Sequence, residues 1–489
     1  MKKTKFVKGL MLLLSAAALV GCSNEGGNGG SKPTPEGGFI KEKTEITVWS
    51  IIGKNNLPYL DKIIKDFEKV EPNVTVTHTV INGSYNDLKD AVVKGFTSNN
   101  YPDLVQAYPD HVAEYINYSK AVDFEPYMEH KDYGWSEDDL KDIIPEYLQE
   151  GKEYLVEGTY SVPFSKSTEQ MFYNEDVLIG MDLSKYDPSI NGGKPISHEY
   201  LNSLTWDELF NKLCPAIAAH DAEVAEEAKY VKSEGLDHSA IFAYDSDDNL
   251  FITLAKQFGI PYTSVNTETG KASIDFNNKE MKNVLKTFNE AASKKYIMSK
   301  GSASGKYTNE FFTKQGALFS VGSTGGVKYQ FSAENPMNVG VAKIPQANAK
   351  TPWVINQGPS LAMLDHSNDD RKLASWLFYK FLSNETNSLD WALGTGYSAI
   401  RESSFKDELY IEAGDWQSKT EKTLDRVMAK SLAAMSDVGK MYVSPAFKGS
   451  STARTQAGGL MTWALTTKSY DAEVDKKFND AEAACLLAL

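Results

Sequence analysis

Three cysteines in 489 residues exclude a disulfide-stapled scaffold, so packing of the chain's own apolar residues must supply its stability. No apolar run reaches the roughly 20 residues that cross a bilayer. The chain is poor in arginine, and its 51 Lys and Arg fall short of 66 Asp and Glu, giving a formal charge of −15. That balance argues against nucleic acid as a partner and against electrostatic attachment to anionic lipid. No segment recurs at a fixed period and no long β-rich stretch occurs, which argues against an adhesin or other structural role. Catalytic and metal signatures are incomplete in the same way. Residues 198–202 (HEYLN) begin like a zinc-protease helix but lack the second histidine. Residues 301–305 (GSASG) carry alanine where a nucleophile elbow needs serine. A calcium loop counted from Asp245 needs glycine sixth and a carboxylate twelfth, and those positions hold Leu250 and Lys256. Among 66 acids, any one carboxylate pair says nothing about glycoside hydrolysis. No catalytic residue, metal or cofactor is therefore expected from these signatures.

What is present starts at the N-terminus. Lys2, Lys3, Lys5 and Lys8 precede an apolar stretch from Leu10 to Val20, and small residues lead to Cys22. This is the layout of a secretory signal peptide, here residues 1–21. Leu19-Val20-Gly21-Cys22 is similar to the bacterial lipobox, in which the cysteine takes lipid and becomes the first mature residue. Acyl chains each add about 0.8 kcal/mol per buried CH2, so two or more hold a soluble body at a membrane face. Residues 23–38 are rich in Gly, Asn, Ser and Pro and cannot bury enough apolar surface to order themselves. Residues 22–40 therefore read as a tether, with the fold beginning near Lys41. Removing residues 1–21 and their four lysines leaves 468 residues and a charge of −19. The chain is 41% hydrophobic, enough for large cores. Cys214 and Cys485 are the other thiols, and nothing in the sequence supports a bond between them.

The folded part opens on alternating elements. Residues 45–52 are β-branched and apolar, a buried strand. Leu60, Ile63, Ile64 and Phe67 recur at helical spacing, with Pro58 in the first turn. Residues 73–80 alternate, Ser84 is placed to cap a helix to about Phe96, and residues 102–108 make a third strand. This order predicts an α/β fold with a parallel sheet that binds ligand beyond the carboxyl ends of its strands. The loops 50–56, 82–85 and 108–111 would then share one rim. Further on, Thr205 and Glu208 are spaced as a capping box, and residues 373–384 read as an amphipathic helix.

Four segments in order carry a family resemblance. Residues 161–178 (SVPFSKSTEQMFYNEDVL) resemble a crossover strand followed by a YYN-K-D segment, and residues 205–209 (TWDEL) the helix after it. Residues 311–326 (FFTKQGALFSVGSTGG) are similar to an F-x-x-G-x-A-A-M strand and turn. Residues 376–403 resemble a late helix pair and its TGY-x-P-x-R turn, with Ser398-Ala399-Ile400 standing where the family carries proline before the Arg401 position. Together they resemble the extracellular solute-binding lipoproteins of ABC importers, the branch with maltose-type and glycerophosphodiester-type receptors. The resemblance implies a two-lobed periplasmic-binding-protein-like fold with a ligand cleft between the lobes. Lobe one would comprise 41–160 plus 360–396, lobe two 161–359 plus 397–489, and the two would close about a hinge. It also implies a monomer at the outer face of the cell membrane, anchored only through Cys22, that hands a small polar solute to an ABC permease.

Candidate ligand residues follow from rim position and from the resemblance. Lys54 and Asn55 follow the first strand and suit sugar hydroxyls, though loop polarity explains them as well. Tyr108, Asp110 and His111 resemble a ligand segment of the family, with helix capping as the rival role for Asp110. Ser167 and Thr168 lie just past the crossover strand. Asp248 and Asn249 belong to an oxygen-rich helix start, and Ser323, Thr324 and Gly325 offer backbone N–H groups to an anion or hydroxyls. Gln357, Gly358, Tyr397 and Arg401 complete the set. Carbohydrate or oligosaccharide is the expected cargo. Glycerol-3-phosphate or a glycerophosphodiester is the alternative cargo, with Arg401 as the phosphate partner, and a secreted glycoside hydrolase is the rival function; the scarcity of arginine favours the uncharged glycan.

Overall fold

A computed structural model describes residues 34–415 and 421–489. The signal peptide, Cys22 and most of the tether lie outside the described residues. Strands run at Thr44–Ser50 (β1), Val74–Val80 (β2), Leu104–Ala107 (β3), Val162–Pro163 (β4), Glu169–Asn174 (β5), Phe242–Tyr244 (β6), Thr263–Asn266 (β7) and Lys271–Ile274 (β8). They continue with Ile297–Ser299 (β9), Phe319–Ser323 (β10), Val339–Ala342 (β11), Trp353–Ile355 (β12), Ser360–Met363 (β13) and Lys440–Tyr442 (β14). The helices that matter for the site are Leu57–Val70 (α1), Tyr85–Ser98 (α2), Pro109–Asn117 (α3), Asp247–Phe258 (α4), Asp369–Leu382 (α5), Glu385–Thr395 (α6) and Ser450–Thr466 (α7).

Two five-stranded sheets organise the chain, in the orders β2-β1-β3-β13-β4 and β11-β5-β10-β6-β9. The β1-α1-β2-α2-β3 run forms as its periodicity predicts. β1 pairs in parallel with β2 from Thr44↔Val74 to Ser50↔Val80, and with β3 on its other edge. Leu60, Ile63, Ile64 and Phe67 are the buried face of α1, each contributing about 2 kcal/mol by leaving water. Ser84 caps α2 in a reciprocal box with Asp87, and Thr205 does the same with Glu208. The sheet is not purely parallel, because β13 enters beside β3 running antiparallel and β4 pairs antiparallel with it. Strand β13 lies more than 250 residues along the chain from β3, so no local pattern announces the pairing.

Residues 164–168 carry the chain from β4 in the first sheet to β5 in the second, as the crossover resemblance predicts. Residues 356–359 return it to β13, and the two crossings lie side by side, with Ser167 and Gln357 exchanging backbone hydrogen bonds of 2.8 and 3.0 Å. Gly358 must be glycine here: its φ is +84° and a Cβ would sit 2.2 Å from the Ser165 carbonyl oxygen. Two segments pack differently from their sequence assignments. Ile40, placed in the tether by composition, is buried against the β1–α1 core, and the Phe39 amide donates to Glu71. Arg401, placed with the second lobe, bonds to Asp139 and Asp142 of the first. Cys214 and Cys485 are buried and unpaired, and burial pushes the Cys485 thiol up to about 11.

Candidate functional site

A cavity of about 690 Å³ lies between the two sheets and draws its walls from both. The first sheet supplies the starts of α2 and α3, with Ser84, Tyr85 and Asn86, then Tyr108, Asp110 and His111. The second supplies the start of α4, Lys300, Tyr307 and the Arg454 face of α7. The start of β5 adds Glu169, and the second crossing adds Asn356 and Gln357. Loops that leave parallel strands carry free backbone ends and point their helix starts at the cleft, which is why the α2 and α3 loops converge there.

The polar groups form one connected set. His111 hydrogen-bonds Asn86 at 3.0 Å, and burial pulls its pKa down to about 4, so the ring is neutral at physiological pH. Tyr85 and Tyr108 meet edge to face at 4.7 Å, and burial raises the pKa of Tyr397 behind them. Glu169 accepts from the Tyr244 hydroxyl and from Asn249 Nδ2 at 3.0 Å, while burial pushes its pKa up to about 7. Asn249 Nδ2 also donates to Gln357 Oε1 at 2.7 Å. Asp247 accepts from the Gly301 amide at 2.8 Å and from Thr462 Oγ1 at 2.9 Å. Arg454 bonds to Asp110 from one wall and to Asp248 and Asn249 from the other. With Glu150 paired to Lys166 and Glu169 raised to about 7, Asp110, Asp245, Asp247 and Asp248 still outnumber Lys300 and Arg454 around the cavity, so its field opposes an anionic cargo. Among the described residues, no group of three or more His, Cys, Asp or Glu side chains is arranged to hold a metal ion.

Of the residues expected from the sequence, Tyr108, Asp110, His111, Asp248, Asn249, Ser323 and Gln357 line the cavity. Asp110 is not the cap of α3, because Tyr108 holds that position. The others lie elsewhere. Lys54 and Asn55 are exposed beside β1 and do not reach the cavity, so the first of the three rim loops is not part of it. Ser167 is buried in the paired crossings. Thr168 donates to the Ile355 carbonyl at 2.8 Å and to Thr324 through its amide at 3.3 Å, which ties the crossings together and consumes both threonines. Gly325 leaves room for the Tyr397 ring, which a Cβ would meet at 2.7 Å. Gly358 accepts from Lys166 at 2.8 Å. Arg401 is 3% exposed, with its donors spent on Asp139, Asp142 and the Ser383 carbonyl, so it is not a phosphate partner. Sequence reasoning missed Tyr85, Asn86, Glu169, Tyr307 and Arg454. Only the rarity of arginine marks the last of these.

Solved structures share this two-lobed α/β architecture. The cyclic α-maltosyl-1,6-maltose binding protein of Arthrobacter globiformis aligns with a TM-score of 0.63 at 18% identity, covering 91% of this chain and 98% of its own. UgpB of Mycobacterium tuberculosis, in complex with glycerophosphocholine, aligns at 0.65 and 15% over the same shares. An ABC substrate-binding protein of Listeria monocytogenes in complex with cycloalternan aligns at 0.63 and 16%, again over 91% and 98%. At such identities the likeness defines the class of fold: two lobes around a solute cleft. The chain belongs to the family described as bacterial extracellular solute-binding protein, which matches residues 62–421. A comparison with curated proteins gave no match. Family membership places the folded body outside the cytoplasm, and among the described residues no helix is long and apolar enough to cross a membrane.

Proposed function

We propose that this protein captures a small uncharged polar solute, a carbohydrate or oligosaccharide, and delivers it to an ABC permease without altering it. The observation that carries this reading is the cavity itself, whose walls come from both lobes and pair hydrogen-bonding side chains with the Tyr85, Tyr108 and Tyr307 rings. Sugar C–H faces pack on such rings while hydroxyls find donors and acceptors around them. An unmatched buried hydroxyl costs about 1 to 3 kcal/mol, so the polar set selects its cargo by what it leaves unpaired. Solute that touches both lobes favours their closed arrangement by its differential affinity. The excess of carboxylates and the burial of Arg401 disfavour a phosphodiester.

The rest of the reading follows the sequence. Lobe one comprises about 40–163 plus 360–401 and lobe two the remainder, because β4 pairs with β13 and Arg401 bonds to Asp139 and Asp142, with the crossings as hinge. The body is a monomer, held at the outer membrane face by lipid on Cys22 after removal of residues 1–21.

A thermal-shift screen of oligosaccharides, glycerophosphodiesters and peptides tests this, since ligand at 100 times its dissociation constant adds about 2.7 kcal/mol. A shift with at least one glycan and no change in that glycan is expected. Shifts confined to phosphodiesters or peptides would overturn the cargo class, and turnover would overturn the binding role.

A further inference from the structure

The chain holds four arginines, and each forks onto distant acceptors. Three of them act within one lobe. Arg371 grips Asp103 through two bonds of 2.7 Å, Arg401 takes Asp139 and Asp142 at 3.2 and 3.1 Å, and Arg426 takes Glu175 at 3.3 Å. Arg454 differs, because its acceptors sit on opposite sides of the cleft. Its Nη1 donates to Asp248 Oδ2 at 2.9 Å and to Asn249 Oδ1 at 2.7 Å, both on α4, while its Nε donates to Asp110 Oδ2 at 3.1 Å on α3.

We infer that Arg454 is a positioning residue that latches the two lobes together before any solute arrives, with Asp110 as the catch.

The two sides of the latch differ in rigidity. Helices α4 and α7 are packed closely, with Ala453 and Ala457 buried and Gly458 so near Asp248 that a Cβ would stand 3.3 Å from its Cβ. Arg454 is therefore fixed to its own lobe along a helix face, and Asp248 and Asn249 aim its guanidinium. The Asp110 bond is the part that opens when the lobes separate. Side-chain exposures of 32% for Arg454 and 15% for Asp110 leave the pair partly shielded, so it is stronger than a free surface pair and still sensitive to salt. Arginine suits the task better than lysine, since one planar fork serves three acceptors in fixed directions. Burial opposes charge on Asp248, yet Arg454 beside it holds that carboxyl below its ordinary value. Taking Arg454 away would leave Asp110 and Asp248 with no cation between them.

Two consequences separate this latch from an ordinary structural ion pair. The closed arrangement is populated without solute, and salt weakens the capture of an uncharged solute that has no Coulomb interaction of its own.

The test uses the full chain with one fluorophore on each lobe, read by single-molecule energy transfer without solute. Wild type, Asp110→Asn, Arg454→Gln, Arg454→Lys and the Asp110→Asn, Arg454→Gln double variant are compared. Each single loss should lower the closed-to-open ratio about tenfold, the scale of one charge-assisted hydrogen bond. The double variant should fall no further than either single one, and Arg454→Lys should retain part of the wild-type ratio. Raising salt from about 0.05 to 0.5 M should open the wild type and leave Asp110→Asn unmoved. Identical distributions for wild type and Asp110→Asn, independent effects of the two substitutions, or equal salt responses would each overturn the latch. Asp110→Asn keeps the size and helix position of the side chain, so its comparison with wild type decides the matter if Arg454→Gln does not fold. The latch rests on the solute-binding reading only for its use. A solute screen that fails while the energy-transfer results hold would remove that reading and leave the latch standing.

Discussion

Replacing Lys166 with methionine tests whether the lobe crossings are held by charge. Lys166 is 0% exposed and Glu150 1%, and the ammonium group donates to the Glu150 carboxylate and to the Gly358 carbonyl at 2.8 Å. Ser360 Oγ donates to the same carboxylate at 3.0 Å, so one ion pair ties the end of the first lobe to both crossings. Burial pulls the Lys166 pKa down, and the Glu150 carboxylate beside it opposes that pull. Breaking a buried pair from one side costs about 3 to 5 kcal/mol, because the remaining charge has no water to turn to, whereas removing both charges is often near neutral. Lys166→Met should therefore cost about 3 to 5 kcal/mol, and the Glu150→Gln, Lys166→Met double variant about 1 kcal/mol, since glutamine still accepts from Ser360. Urea unfolding followed by tryptophan fluorescence reads both as midpoint shifts at constant slope. A single variant within about 1 kcal/mol of wild type, or a double variant as unstable as the single one, would refute the reasoning.

Two buried titrating groups predict opposite pH trends. Glu169, at about 7 against an ordinary 4.5, keeps in the folded chain a proton that the unfolded chain has lost, so its contribution declines as pH rises from 4.5 to 7. His111, at about 4 against 6.5, stays neutral where the unfolded chain takes a proton, so its contribution declines as pH falls from 6.5 to 4. Glu169→Gln should remove the loss on the neutral side and His111→Gln the loss on the acid side, as urea midpoints between pH 4 and 8 would show; profiles parallel to wild type would contradict both. Gly358→Ala should lower stability by at least about 2 kcal/mol in thermal unfolding, from the left-handed backbone and the approach of its Cβ to Ser165.

The sequence by itself determined what is local. Alternation and helical spacing place β1, α1, β2, α2 and β3 within a few residues of their observed ends, because period-2 and period-3.6 burial patterns are properties of neighbouring residues. The caps at Ser84 and Thr205 were legible for the same reason, since their partners stand three residues away. Residues that line the cavity were legible where they directly follow a strand or start a helix, as Tyr108, Asp110, His111, Asp248 and Asn249 do. Tertiary structure alone decided the antiparallel entry of β13, the burial of Arg401 against acids about 260 residues earlier, and the meeting of Arg454 with Asp110 across 344 residues. Charges carry no periodicity, and an ion pair forms wherever the folded backbone brings two side chains within about 4 Å. The chain's pattern of apolar residues chooses the sheets; only the assembled sheets choose which charges meet.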